Sequence, residues 1–161
     1  MQDVQQYVTD ANYGNNYKNS FVRHWLTDTF YIDAFSLDST IVKTKTVDNS
    51  AATTASTTNP YACENTQDKV YLLSYQDYNN DAYFPGETGA RCKVTDWAIA
   101  SGAYFSTTEE IKFNGSYWTR SPHAEGSGNA YYVGPYGGAF STNVDSDSTA
   151  VRPAITIEIV D

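Results

Sequence analysis

The sequence predicts a single α+β domain in which two short helices pack on small, twisted antiparallel sheets. Helical patterns occur before residue 102, most strand-like segments follow residue 116, and a length of 161 residues suits one domain. No internal repeat is visible. Because helices that come early and strands that come late are typical of α+β folds, we expect one domain over residues 1–161.

The first helix is predicted from the segment that follows residue 18. Asn19 or Ser20 can cap its first N–H groups. Its apolar residues recur at helical spacing and are Val22, Trp25, Leu26 and Phe30. A further turn at residues 32–35 is expected to point Ala34 and Phe35 inward.

The second helix is predicted at residues 96–101. Thr95 can cap it, and Gly102 stands where a left-handed residue commonly ends a helix. Residues 97–99, which are Trp, Ala and Ile, are expected to supply its packing surface.

Six segments are predicted to be strands, at residues 41–47, 69–74, 117–121, 130–133, 139–144 and 151–160. The alternating segment 41–47 should have one partly solvent-exposed face, whereas the apolar run 69–74 indicates a central strand covered on both faces. The sequence GPYGG at residues 134–138 indicates a hairpin turn. The last strand carries three isoleucines on one face, Ile155, Ile157 and Ile159.

Two segments have no periodicity. Residues 1–19 are rich in Tyr, Asn, Asp and Gln, which predicts a loop or a frayed start. Residues 48–66 include the low-complexity run DNSAATTASTTNP at residues 48–60, which predicts a long exposed loop.

Charge limits the classes of partner. The net charge is −9, the sequence pI is about 4.5, and no cluster of Lys and Arg provides a basic patch. Phosphate backbones and anionic lipid are repelled by such a chain, so nucleic acid and membrane surfaces are poor partners. No apolar run approaches the roughly 20 residues that a bilayer span needs, so membrane insertion is not expected either. A protein or a glycan remains as the expected ligand.

The two cysteines and two histidines do not form a recognisable metal or redox motif. Cys63 and Cys92 are too far apart in sequence for a C-x-x-C pattern, and only His24 and His123 could complete a metal set. No metal and no cofactor are therefore predicted. Two alternatives stay open for the cysteines: one disulfide in an exported protein, or two buried free thiols.

Five segments, taken in order, resemble a bacterial domain family of unknown function. They read VRHWLTDTFYIDAF, NTQDKVYLLSYQD, RCKVTDWAIASGA, YWTRSP and AVRPAITI, and the resemblance covers most of the chain from Phe21 to Ile159. The family's signature is W-L-N-x-x-F, then W-W-L-R-S-P, then G-V-R-P-A-L. Thr119 and Ala150 replace its usual Leu and Gly, and only residues 1–20 precede the first helix, where the family usually has one or two strands.

That family looks like a branch of the C-type-lectin-like fold, which also includes formylglycine-generating enzymes and the variable proteins of diversity-generating retroelements. The resemblance implies an exported or cell-surface bacterial module that binds a ligand. The implied variable face lies between the W-x-R-S-P strand and the V-R-P-A strand.

The candidate ligand-binding surface is the segment at residues 123–149. Its large aromatic residues carry few rotatable bonds, and its small polar residues adapt their hydrogen bonds, a mixture that antibody paratopes also use. Apart from Glu125, the residues between His123 and Thr149 belong to the set that adenine-directed mutation of an Asn codon can produce. The candidate ligand-binding residues are His123, Glu125, Ser127, Asn129, Tyr131, Tyr136, Phe140, Thr142, Asn143, Asp145 and Asp147. The alternative interpretation is ordinary turn sequence.

Strand alternation predicts that these side chains share one outward surface. If the buried residues of the hairpin point into the core, their neighbours, including Tyr132, point outward together.

Four other residues are interpreted as structural. Trp25, Trp118, Arg120 and Arg152 lie in the segments that carry the family resemblance. Arg120 could bind a ligand carboxylate, but pairing with an internal Asp or a backbone carbonyl beside Trp118 is favoured. Arg152 is interpreted in the same way.

Calcium binding and catalysis are two further possibilities that the sequence raises. Asp145 and Asp147 have the spacing of a calcium loop but lack its glycine and its distal glutamate, so a solvated turn is favoured. No nucleophile elbow is present, which favours a non-enzymatic module. The alternatives are an enzyme of the formylglycine-generating or carbohydrate-active kind, and a structural domain of a larger surface protein.

Overall fold

The structure is a computed structural model that describes residue 7, residues 14–35 and residues 40–158. Over these residues the chain is a mixed α+β fold of short helices and small antiparallel sheets, so the predicted fold class is confirmed at that level. The expected positions of residues 1–6 and 8–13 and of Ile159 lie outside the described residues.

The first predicted helix is one uninterrupted helical stretch in three parts. A 3₁₀ turn at Tyr17–Asn19 precedes it, and then α1 (Phe21–His24), a π-helical part (Trp25–Phe30) and α2 (Tyr31–Phe35) follow one another. Ser20 caps it, because its Oγ accepts a hydrogen bond from the Arg23 backbone N–H at 3.2 Å.

The π-helical part changes which residues face the core. The N–H of Tyr31 donates to the carbonyl of Leu26, five residues earlier instead of four. Tyr31 is buried like Leu26, Phe30 is only partly buried, and Ala34 is exposed. The prediction that a separate turn at residues 32–35 points Ala34 inward is wrong, because the helix continues through the π-helical part and Tyr31 takes the buried position.

The described residues contain eight strands: β1 (Val42–Lys43), β2 (Lys45–Val47), β3 (Thr66–Asp68), β4 (Val70–Tyr71), β5 (Tyr117–Pro122), β6 (Asn129–Val133), β7 (Ala139–Asn143) and β8 (Ala154–Ile157). They form three sheets with strand orders β1-β8-β4, β2-β3 and β5-β6-β7. All pairings between these strands are antiparallel.

The strand predicted at residues 41–47 is divided at Thr44 between two sheets. β1 pairs with β8, whereas β2 pairs with β3. The segment predicted as a central strand, residues 69–74, contributes β4 at the edge of its sheet, and β8 takes the middle position. Burial of Val70 and Tyr71 comes from packing against other elements and not from a central place in the sheet.

Three short helices follow β4 and precede β5 along the chain, namely α3 (Tyr75–Tyr78), α4 (Gly86–Ala90) and α5 (Asp96–Ala100). The predicted cap of α5 is confirmed, since Thr95 Oγ1 accepts from the Ala98 N–H at 3.1 Å, and Gly102 has φ of 98°. Ala98 is fully buried, but Trp97 is 69% exposed, so the expected packing surface of α5 is narrower than residues 97–99. Two 3₁₀ turns, Ala51–Thr53 and Glu109–Ile111, complete the helical elements of the described chain.

The described part of residues 1–19 belongs to the core, which differs from the expected loop or frayed start. The side chains of Tyr7 and Tyr17 are fully buried. The Tyr7 hydroxyl donates to the Arg120 carbonyl at 2.9 Å, and the Tyr17 hydroxyl accepts from the Leu72 N–H at 3.2 Å. The polar composition of the segment gives no sign of this role. In the structure each phenol hydroxyl forms a hydrogen bond with a buried backbone group.

The segment at residues 48–66 is a loop for most of its length, but its polar residues are not all exposed. Asn49, Thr54 and Asn59 are buried. The amide of Asn59 donates to the Pro122 carbonyl at 2.8 Å, and Asn49 donates to the Glu64 carbonyl at 3.1 Å. Short polar side chains thus satisfy the backbone of the loop and hold it in place.

Both faces of the β5-β6-β7 sheet are covered. Trp118 and Ala130 face a core that includes the helical start of the chain, and Tyr117 and Val133 face a second core beside α4 and α5. Because side chains alternate along a strand, the two cores lie on opposite faces of this sheet. The most exposed parts of this sheet are its outer strand β7 and Tyr136 in the turn that joins β6 to β7, while Asn129, Tyr131 and Tyr132 of β6 are partly exposed.

Candidate functional site

The turn between β6 and β7, residues 134–138, is fixed by contacts from two other segments, α4 with the residue that follows it and the loop before β5. Arg91 Nε donates to the Tyr136 carbonyl at 3.1 Å, and Asn114 Nδ2 donates to the Pro135 carbonyl at 3.2 Å. Gly137 has φ of 95° and lies against the backbone of Glu87, so near that a Cβ atom there would be 1.8 Å from the Glu87 carbonyl oxygen. Only glycine satisfies both conditions.

Two large aromatic side chains project from this fixed hairpin. Tyr136 is 53% exposed and Phe140 is 55% exposed. The Phe140 ring lies over the backbone of the turn, where a Cβ atom at Gly134 or Gly138 would be 3.3 Å from it. Their backbone is therefore rigid while their side chains remain accessible.

A series of rings connects Phe140 to the core. Phe140 lies 6.0 Å from Tyr132, and Tyr132 lies 6.5 Å from the fully buried Trp118 with the two rings nearly perpendicular. Edge-to-face contacts of this kind are favourable at these separations. We call Tyr136 and Phe140 with their supporting turn the hairpin surface.

A second aromatic group lies on the opposite face of the same sheet. The Tyr131 ring is 4.9 Å from Tyr75 and 5.2 Å from His123, and Tyr75 is 5.9 Å from Tyr78. Burial raises the pKa of Tyr131, and the nearby Tyr75 and Glu125 raise it further. These half-buried rings pack mainly against one another.

The candidate ligand-binding residues therefore do not share one surface. Tyr131 pairs with Ser141 and Tyr132 with Phe140, and directly paired residues of an antiparallel sheet lie on the same face. By the same register, Asn129 and Asn143 lie on the Tyr131 face, and Thr142 lies on the Phe140 face. The expectation of a shared outward surface is wrong because the sheet has a core on each side.

The loop at residues 123–129 is stabilised by hydrogen bonds from a buried residue of the N-terminal segment. The buried Asn15 amide donates to the carbonyls of His123, Gly126 and Asn129 at 3.2, 3.0 and 2.6 Å. Glu125 and Ser127 are exposed on this loop. Asp145 and Asp147 are exposed on the turn after β7.

Arg120 is buried and makes only internal contacts. It bonds Asp77 Oδ2 and the Leu72 carbonyl at 2.8 Å each and the Asp48 carbonyl at 3.1 and 3.2 Å. Burial alone would raise the pKa of Asp77, but hydrogen bonds from Ser74 and the charge of Arg120 hold that pKa below its ordinary value. Arg120 therefore joins the loop at residues 48–66, the residue that follows β4, and α3 to β5.

Arg152 and Trp25 also contact protein groups. The Arg152 guanidinium lies 4.9 Å from the Phe84 ring and 5.0 Å from the Tyr117 ring, and it donates to the Tyr117 hydroxyl at 2.9 Å. Burial raises the pKa of Tyr117 to about 12, although the charge of Arg152 opposes this. Trp25 is half-buried, 5.4 Å from Phe30.

The cysteines are free and half-buried, so the structure shows neither a disulfide between Cys63 and Cys92 nor fully buried thiols. Burial raises the pKa of the Cys63 thiol. Within residues 14–35, residues 40–158 and Tyr7, no group of three or more His, Cys, Asp and Glu side chains is arranged to hold a metal ion. None of the helices in the same part of the chain has the length and apolar character needed to cross a bilayer.

Several contributors to these sites were missed by sequence reasoning. Tyr75 and Tyr78 come from α3, which was not predicted, although Ser74 and Asp77 have the spacing of a capping box. That signal could have located the helix. Nothing in the sequence indicates that Arg91 and Glu87 contact the hairpin turn.

These features define the chain as a small α+β domain with a rigidly supported aromatic hairpin. Residues 2–159 match the family described as a domain of unknown function (DUF6273), and the chain belongs to that family. No match is found among curated proteins or among solved structures.

Proposed function

We propose that this chain is a non-enzymatic binding module of a bacterial or phage surface protein, with a C-type-lectin-like fold, and that the hairpin surface binds a protein. The observation that carries the proposal is the exposure of Tyr136 and Phe140, each more than half accessible, on a turn held by Arg91, Asn114 and the Gly137 contact. Fixed aromatic side chains with few rotatable bonds lose little entropy on binding.

The shape of this surface favours a protein over a glycan. Tyr136 lies in the hairpin turn and Phe140 on the outer strand β7, and more than half of each residue is exposed. A projecting ring gains most when it enters a complementary pocket of the partner, which is how aromatic anchors act in protein interfaces. The acidic character of the chain favours a partner with a neutral or basic surface.

The family resemblance supports membership among the variable proteins of diversity-generating retroelements. In such a protein the exposed positions vary, while positions that the fold requires stay constant. Tyr136 and Phe140 are exposed, whereas Gly137 is buried and sterically required. The proposal therefore predicts that the codons for Tyr136 and Phe140 vary while the codon for Gly137, in the same hairpin, stays constant.

Neighbouring genomic DNA tests the variable-protein assignment. We expect a reverse transcriptase gene and a near-copy of the coding region for residues 117–153 that differs at adenines in the codons for Tyr136 and Phe140 but not in the codon for Gly137. A near-copy with differences spread evenly over all codons, or no near-copy, contradicts this assignment.

Site-specific crosslinking tests the binding function. A photoreactive phenylalanine analogue replaces Tyr136 in one sample and the equally exposed Tyr104, which is 51% accessible, in a control sample. We expect a protein from the producing organism to be captured from position 136 and not from position 104. The purified partner should then bind the unmodified chain and lose about tenfold or more in affinity with Tyr136→Ala. Equal affinity for both forms contradicts the proposal.

A further inference from the structure

A groove lies beside α3, and Asp77 of that helix is one of the residues that line it. Its volume is about 580 Å³, within the range of small-molecule sites, and none of its lining residues is a candidate from the sequence. Six lining residues matter for its chemistry: Lys45, Tyr71, Asp77, Tyr83, Ile155 and Thr156. They come from β2, β4, α3, the segment before α4, and β8.

The walls of the groove offer accessible apolar area. Tyr83 is 58% exposed and Ile155 is 38% exposed, whereas Tyr71 is nearly buried and its hydroxyl lies 3.2 Å from Thr156 Oγ1. A flat, accessible tyrosine ring can pack against the C–H face of a ring-shaped ligand. The paired hydroxyls of Tyr71 and Thr156 keep lone pairs and can accept a further hydrogen bond.

Asp77 supplies an oriented acceptor. Its Oδ2 accepts from Arg120, from the Ser74 N–H at 2.8 Å and from Ser74 Oγ at 2.9 Å, and the side chain remains 28% exposed. Among the described residues none donates to Oδ1. The carboxylate is thus held in one orientation with one oxygen available to a ligand.

Lys45 supplies a donor of opposite charge. Its Nζ lies 5.2 Å from the centre of the Tyr71 ring, and the residue is exposed. Because the charge of Asp77 is offset by Arg120 and Lys45 is exposed to solvent, the groove favours neither a strongly anionic nor a strongly cationic ligand. An apolar peptide would offer no hydrogen-bond partner to Asp77 Oδ1 or to the Lys45 ammonium, which is unfavourable.

We propose that this groove binds a neutral saccharide, with a pyranose ring against Tyr83, a hydroxyl donating to Asp77 Oδ1 and another hydroxyl accepting from Lys45 Nζ. Saccharides combine closely spaced donors and acceptors with an apolar C–H face, which is the mixture that the lining offers. The site lies apart from the hairpin surface and does not depend on the protein partner proposed there.

The test is a titration of the ¹⁵N-labelled full chain with methyl glycosides of glucose, galactose, mannose and N-acetylglucosamine and with their disaccharides. We expect at least one of them to produce saturable amide shifts at residues that line the groove, with a dissociation constant of about 1 mM or lower. Tyr83→Ala should weaken this binding about three- to tenfold and Tyr83→Phe should not, because the ring and not the hydroxyl makes the contact.

Two matched variants separate this site from the hairpin surface. Lys45→Met should weaken saccharide binding, and Tyr136→Ala should leave it unchanged. Asp77→Asn is unsuitable because it removes a buried partner of Arg120. The proposal is overturned if no saccharide gives saturable shifts, if Tyr83→Ala binds as tightly as the unmodified chain, or if a charged tripeptide occupies the groove and the saccharides do not.

Discussion

Gly137 lies against the carbonyl group of Glu87 so closely that a Cβ atom at residue 137 would be 1.8 Å from the carbonyl oxygen. This contact joins the hairpin turn to α4, two elements that lie far apart in sequence. It fixes the backbone from which Tyr136 projects, so the position of an exposed residue depends on a buried one.

Three glycine-to-alanine variants test this contact. Gly137→Ala combines a left-handed backbone with the overlap on Glu87, and we expect it to lower the free energy of unfolding by roughly 3 kcal/mol or more. Gly86→Ala has φ of 65° but no atom within 4 Å, so about 1–2 kcal/mol is expected from backbone strain alone. Gly126→Ala has neither feature and should change stability by less than about 0.5 kcal/mol. Urea unfolding measures all three, and equal effects at residues 86 and 137 would show that the contact with Glu87 is unimportant.

The Asp77–Arg120 pair predicts a pH dependence of stability. The pKa of Asp77 in the folded chain is below its ordinary value of 3.8, so the unfolded chain binds more protons in this range and stability falls as the pH falls. The contribution is present above about pH 4 and is lost as the pH drops through the folded-state pKa. The free energy of unfolding should therefore decrease less steeply below pH 4 in Asp77→Asn than in the unmodified chain. Parallel pH profiles for the two proteins would contradict the assignment.

The same variant tests the cost of separating a buried pair. Arg120 is 6% exposed, and without Asp77 its charge keeps only backbone carbonyls as partners. At pH 7 we expect Asp77→Asn to lose about 3 kcal/mol, at the lower end of the range for breaking such a pair, because Asp77 is partly exposed. Thermal and urea unfolding at pH 7 provide the measurement.

The two ends of the ring series from Trp118 to Phe140 should respond differently to truncation. Phe140→Ala and Tyr136→Ala remove exposed rings, so the melting temperature should stay nearly unchanged while the affinity for the partner falls about tenfold or more. Trp118→Ala removes a ring that is 1% exposed and should cost about 3–5 kcal/mol. Calorimetry on the three variants measures these changes in melting temperature and stability. A large loss of stability in Tyr136→Ala would place its ring in the core.

Tyr7→Phe tests whether the N-terminal segment belongs to the fold. Its hydroxyl donates to the Arg120 carbonyl at 2.9 Å in a fully buried position, so removing it leaves that carbonyl without this donor. We expect a loss of about 1–2 kcal/mol. Tyr104→Phe, at an exposed position, is the control and should be neutral. Equal unfolding midpoints for the two variants would show that Tyr7 is not anchored.

Features that depend on neighbouring residues were predicted well from the sequence. The Ser20 and Thr95 caps, the left-handed Gly102 and the β6–β7 hairpin each follow from interactions within a few residues. Features that depend on the period of a long segment were predicted less well. The π-helical part displaced Ala34 to the surface, and Thr44 divides an alternating segment between two sheets.

The candidate site shows the same limit. The hairpin of residues 130–133 and 139–144 was correctly predicted, but the distribution of the candidate residues over two faces follows from the two cores that enclose the sheet. The groove beside α3 left no sequence signal, because its residues come from five separate elements.

The sequence by itself determined the α+β class, the caps, the turn chemistry and the excess of acidic residues, since these depend on composition and on local backbone preferences. Only the tertiary structure decided that Asp77 pairs with Arg120, that Glu87 requires a glycine at residue 137 and that Tyr7 is buried. Those contacts join residues dozens of positions apart. Their formation depends on how the sheets and helices pack together, which no short window of sequence specifies.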